Sequence, residues 1–135
     1  MVKKVPRKKY DSSKYSNFLK VADNFSQAAD IAAEYEYFNA AGVLIIHSAI
    51  ALADAVTIRF SSSKCTGENH YEVIKLLKES VPNTKSAAKA VTHFEKLIDH
   101  KNAVSYQGEL YNQSDNIMLM KHFKRFEKWI KSVLT

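Results

Sequence analysis

Cysteine, glycine and proline are nearly missing from this chain of 135 residues, which holds one, three and two of them. The lone Cys65 excludes an internal disulfide and a zinc site built on cysteines. So few turn-forming residues exclude an all-β architecture. Gly42, Gly67 and Gly108 cannot assemble a P-loop or a dinucleotide-type glycine pattern. No HExxH occurs, and among the five histidines only His93 and His100 recur at a spacing of seven. No metal ligand set is expected, and no cofactor. Repeats and low-complexity segments are also missing.

The longest apolar run, Ala40 to Ile46, falls short of the roughly 20 apolar residues that a membrane span needs. The opening MVKKVPRKKY is basic but carries no apolar core of a signal peptide. A soluble, cytoplasmic protein is the expectation, and the near-absence of cysteine fits it.

The net charge of +6 is unevenly distributed. Lys3, Lys4, Arg7, Lys8 and Lys9 stand together with no acid among them. Without these five, fifteen basic residues face fourteen acids, a balance of +1. Residues 1–11 therefore read as a flexible basic arm, able to touch phosphates without specificity or merely to be solvated. Residues 12–135 read as one helical domain.

Apolar residues recur at helical spacing through most of that domain. Ser12 or Ser13 is positioned to cap a first helix carrying Phe18 and Phe25 inward. A second helix spans about Tyr37 to Ser61, with Glu34–Tyr37 as a corner or a continuation. The stretch SSSKCTGENH is a loop. A short amphipathic helix follows from Tyr71, and Val81–Thr84 stops it. Thr84 then caps a helix running from about Lys85 to His100 or beyond, with Gly108 as its latest end. Ser114 or Asp115 caps the last helix, where Leu119, Phe123, Phe126, Ile130 and Val133 form the buried stripe. Its other face carries Lys121, Lys124, Arg125, Lys128 and Lys131, either a solvated surface or an RNA-binding one. The sum is an all-α chain: an up-and-down four-helix bundle with one additional short helix.

Two places in this pattern are chemically unusual. The Tyr37–Phe60 stretch is apolar almost all round, so it must be buried on most sides. Within it His47 and Asp54, nearly two turns apart, point the same way. They form either a satisfied core pair or one wall of a polar cleft, and the carboxylate needs a cationic partner in either case. The second place is HKNAVSYQG at His100–Gly108. Asn102 and Tyr106 share a face if the helix persists, while Lys101 stands about 140° from Tyr106, so their cooperation needs the helix to loosen. A polar helix terminus, with Lys101 and His100 complementing its dipole, is the plainer meaning.

HSAIALADA in the apolar helix, CTGENH before the short helix, KNAVSYQG, and the closing helix with Phe126 and Trp129 occur in an order that resembles the HEPN family. The resemblance runs from about Ser13 to Leu134. It implies a small helical domain, commonly dimeric. Many such domains are metal-independent ribonucleases, often toxins paired with a nucleotidyltransferase-type antitoxin. Their signature is an arginine, a polar residue and a histidine lining a cleft between two protomers. Lys101 stands at the arginine position, Asn102 matches the polar residue, and Tyr106 replaces the histidine. Lysine keeps the charge but loses the bidentate fork for phosphate. Tyrosine, with an ordinary pKa of about 10, is poorly suited to acid–base work at neutral pH.

The resemblance implies a non-catalytic or degenerate HEPN protein, a homodimer, that binds a nucleotide-like or RNA-like ligand or a partner protein. Lys101, Asn102 and Tyr106 are the candidate binding residues, with His47, Asp54 and His100 as supporting cleft polarity and no catalytic residue assigned. The alternatives are an active metal-independent ribonuclease and a purely structural partner of a nucleotidyltransferase.

Overall fold

The computed structural model describes residues 5–67 and 69–135, and it is mostly helical. A short strand β1 (Arg7–Lys9) and a 3-10 turn (Ser12–Lys14) lead into α1 (Tyr15–Glu34). They are followed by α2 (Phe38–Ser61), β2 (Ser63–Cys65), α3 (Tyr71–Ser80), α4 (Lys85–Asp99), α5 (Lys101–Tyr106) and α6 (Gln113–Leu134).

α2 is the central element and packs against α1, α3, α5 and α6, while α4 lies on α6 and α3. Its alanines explain how so many neighbours reach it. Ala49, Ala53 and Ala55 are fully buried, and small side chains let neighbouring backbones approach. Ser48 donates to the Ala22 carbonyl across the α1–α2 contact at 2.6 Å, which satisfies a buried hydroxyl. Opposite α1, the core is aromatic. Phe94 of α4 stacks on Phe126 of α6 with centroids 4.7 Å apart, and Phe123 and Leu119 are fully buried beside them. Truncating any of these phenylalanines would cost about 3–5 kcal/mol.

α2 also bears on the expectation about membranes. Its longest uninterrupted apolar run stops at His47, yet over an 18-residue window its mean hydropathy is 1.9, so by length and composition alone it is long and apolar enough to cross a membrane. In this fold 78% of that window is buried inside the protein.

The chain departs from the sequence-based expectation at its beginning. Residues 7–9 are not a free arm. They pair antiparallel with Ser63–Cys65, with Arg7 opposite Cys65 and Lys9 opposite Ser63. Tyr10 extends the pairing by donating to the Ser62 carbonyl at 2.9 Å. Buried Val5 and an ion pair from Arg7 to Glu79 at 3.1 Å anchor the strand to the body. Residues 1–4 of the expected arm lie outside the described residues.

Some helix ends also differ. Neither Ser12 nor Ser13 caps α1: Asp11 caps the 3-10 turn before it by accepting from the Ser13 amide, and the N-cap of α1, Lys14, makes no side-chain cap bond. Asn112 caps α6 in a reciprocal capping box with Asp115, so the helix starts before Ser114. Thr84 caps α4 as expected, accepting from the Ala87 amide at 3.1 Å. The α4 segment breaks at His100, and α5 resumes as a separate six-residue helix. Gly108 then turns the chain with φ at +70°, a conformation glycine adopts without a steric cost.

Candidate functional site

The site begins with the register of α2. His47, Ile50, Ala51 and Asp54 face one way, as their spacing requires. They form one wall of a groove of about 240 Å³ whose other wall is Phe18, Val21 and Phe25 of α1. Only the two ends of this apolar strip are ionisable.

Asp54 is 4% exposed. The cation it needs comes from β2: Lys64 Nζ lies 3.8 Å from Asp54 Oδ2. Oδ1 has no hydrogen-bond partner among the described residues. Burial pushes the carboxyl up to about 7, and Lys64 only partly opposes that shift. Near neutral pH this group is therefore divided between its acid and its carboxylate.

His47 lies toward the solvent edge, its ring 6.0 Å from that of Phe25. Partial burial, followed by the Lys101 ammonium, holds its imidazole below the ordinary value. His70, in the turn entering α3, is lowered in the same way: by burial first, then by Lys101, His47 and Lys64. Lys101 thus acts on two imidazoles brought in by α2 and the α3 turn, and all three are within electrostatic reach of one another.

Lys101 opens α5 directly after the break at His100. Its ammonium sits over the Tyr106 ring, 6.0 Å from the centroid; both residues lie within the unbroken α5, so the two meet without the loosening of the helix that their spacing predicts. Tyr106 is 78% exposed, and Asn102 is exposed beside it. His100 is engaged elsewhere: its Nδ1 is 2.7 Å from the Tyr111 hydroxyl, with the rings nearly perpendicular.

Asn39 fixes α5 and the segment after it against α2. Its amide donates to the carbonyls of Val104 and Glu109, at 3.0 and 2.8 Å, and its oxygen accepts from the Tyr111 amide at 2.9 Å. One side chain of α2 thereby ties down α5 and the chain that follows. Gly42 lets α5 sit close, since a Cβ there would lie 2.7 Å from Val104 Cγ2.

Of the residues expected from sequence, the structure places Lys101 near His47 and over Tyr106, and gives Asp54 a lysine. That lysine is Lys64, which sequence reasoning did not single out, and His70 was missed as well. Both lie in SSSKCTGENH, which read as a loop. The one available signal was the need of buried Asp54 for a cation. Among the described residues no three His, Cys, Asp or Glu side chains gather closely enough to hold a metal ion.

The arrangement offers two ammonium groups and two imidazoles that are mostly neutral at neutral pH, with the one carboxyl buried. Such a set can neutralise and hydrogen-bond an anion. No protein-family model, curated protein or solved structure matches this chain.

Proposed function

We propose that this chain is a non-catalytic, HEPN-like helical bundle that binds a phosphate-bearing ligand of the nucleotide or RNA class at the cleft over α2. The observation that carries the reading is the convergence of Lys101, His47 and His70, each of the histidines feeling the lysine's charge. Lys101 supplies the phosphate contact, and Asn102 and the exposed Tyr106 ring offer a hydrogen-bonding and a stacking surface for a base. Lys64 stays with Asp54.

Thermal unfolding with a mononucleotide tests this. Ligand at about 100 times its Kd stabilises the native state by roughly 2.7 kcal/mol. The wild-type midpoint should rise by several degrees with AMP or ATP, and that of Lys101→Ala should not. An unmoved wild-type midpoint, or an equal rise in the variant, removes the ligand reading.

The homodimer belongs to the same proposal. Tyr35 and Tyr37 stack at 6.1 Å and are 68% and 64% exposed, an aromatic surface suited to a second copy. Sedimentation should give a dimer, and Tyr35→Ser/Tyr37→Ser a monomer. A monomeric wild type would remove this part.

A specific observation also favours the catalytic alternative. Two imidazoles held below their ordinary pKa next to a lysine can supply the acid–base work that Tyr106 cannot. Cleavage of RNA in EDTA, abolished by His47→Ala or His70→Ala, would establish an enzyme. Intact RNA leaves the binding module.

A further inference from the structure

The faces of α4 and α6 that meet away from α2 form a second feature, separate from the cleft. A groove of about 350 Å³ runs between them, lined by Lys89, His93, Arg125 and Lys128, with Ser86 and Ser132 at one end. No acid lines it. That is a consequence of where each carboxylate of the two helices points. Glu95 lines the opposite cleft, toward α3, and Asp99 accepts from the Tyr71 hydroxyl of α3. Asp115 is consumed by the capping box. Glu127 faces the groove beside α1, where Lys124 and Lys131 flank it, each at 3.9 Å. Among the described residues, Lys89, Arg125 and Lys128 take part in no ion pair.

The density of positive charge registers on the two histidines between the helices. His93 Nδ1 and His122 Nδ1 are 2.9 Å apart. Beyond burial, Arg125 and Lys121 lower His93, and His93 itself, then Lys121, Lys96 and Arg125, lower His122. Lys89, His93 and Lys96 on α4 recur every three or four residues, as do Lys121, Arg125 and Lys128 on α6. At a rise of 1.5 Å per residue the rungs stand about 5 Å apart.

We propose that the α4–α6 groove binds the sugar–phosphate backbone of single-stranded nucleic acid, without reading its bases. Lysines on α4, with the His93 imidazole between them as a hydrogen-bonding group, and the cations of α6 run side by side along a concave, acid-free channel and complement a string of phosphates. The floor, Ala90 and Trp129, is buried, so the groove lacks the protruding apolar side chains with which an interfacial helix enters lipid.

The test is fluorescence anisotropy of a labelled oligouridylate of about twelve nucleotides over a series of salt concentrations. Wild type should bind with an affinity that falls steeply with salt. Lys89→Ala/Arg125→Ala/Lys128→Ala should weaken binding at least about tenfold and flatten the log–log salt slope by about 2, since each lost phosphate contact contributes roughly 0.7 for a single strand. Lys75→Ala, an exposed lysine on α3, should match wild type. Circular dichroism checks that the triple variant is folded; if it is not, Arg125→Ala alone should flatten the slope by about 0.7. Wild-type affinity and slope in a folded variant would overturn the proposal. So would tight binding to anionic phosphatidylglycerol vesicles with none to the oligonucleotide. A mononucleotide is too short to bridge the rows, so failure here is distinguishable from failure at the Lys101 cleft.

Discussion

Lys64 reaches back from β2 to within 3.8 Å of Asp54 Oδ2, the one carboxylate buried in the most apolar helix of the chain. The contact is longer than a hydrogen bond, and Oδ1 is left unpartnered, so the pair is only partly compensated.

The consequence is a stability profile of defined sign. The Asp54 carboxyl titrates at about 7 in the fold, against an ordinary value of 3.8. Between these values the folded state holds the extra proton, so this residue's contribution is full below the lower value and is lost as pH rises through the upper one. Urea unfolding of wild type against Asp54→Asn should show the variant gaining relative stability from pH 4 to pH 8, by roughly 1–3 kcal/mol. Parallel profiles would show that Asp54 is not perturbed.

Gly42 tests the close approach of α5 to α2. In an exposed helix interior, Gly→Ala is worth about 1 kcal/mol of stabilisation. Here the new methyl meets Val104 Cγ2 at 2.7 Å and Leu119 Cδ1 at 3.2 Å. Val104 is buried and stiff at χ1, so Gly42→Ala should instead destabilise by about 1 kcal/mol, within the range for overpacked cores. Gly42→Ala/Val104→Ala should relieve the clash, which a double-mutant cycle in urea would detect as coupling.

Legibility of the fold follows the range of the interactions. The apolar α2, the stripe of α6, the Thr84 cap and the Gly108 stop are written in local spacing, and all were readable. The β1–β2 ribbon was not. Arg7–Lys9 and Ser63–Cys65 carry no alternation, and their partnership exists only because α2 returns the chain to its start. Ser62 makes that return in the left-handed conformation, φ 50°, where a glycine would have announced it. The same turn carries Lys64 back alongside Asp54, so the site's partner was hidden for the same reason. The break at His100 likewise has no glycine or proline to mark it.

Asn39 should matter more to α5 than to overall stability. Its three hydrogen bonds reach across to residues 104–111. Asn39→Ala leaves those backbone groups seeking water, at about 1 kcal/mol per bond where they are partly buried. Hydrogen exchange should accelerate at the Tyr111 amide, and protection in α4 and in the core of α2 should remain. Unchanged exchange at Tyr111 would mean that the segment is held by other contacts.

The His93–His122 pair gives a pH dependence opposite in sign to that of Asp54. Facing nitrogens 2.9 Å apart need one donor and one acceptor, so at least one ring must be neutral on that side. Burial is the leading cause that lowers both rings; on His122 it is followed by His93 itself, and Arg125 and Lys121 add to it on both, with Lys96 on His122. Folded values below the ordinary 6.5 mean that the unfolded chain takes up protons first. The pair's contribution is therefore full above the ordinary value and is lost as pH falls through the folded ones. His93→Gln/His122→Gln should be less stable than wild type by about 1 kcal/mol at pH 7.5, with the gap shrinking or reversing at pH 5. His47 and His70 are lowered too, but they are present in both proteins and cancel in the difference. A gap of equal size at both pH values would show that the pair holds by packing alone.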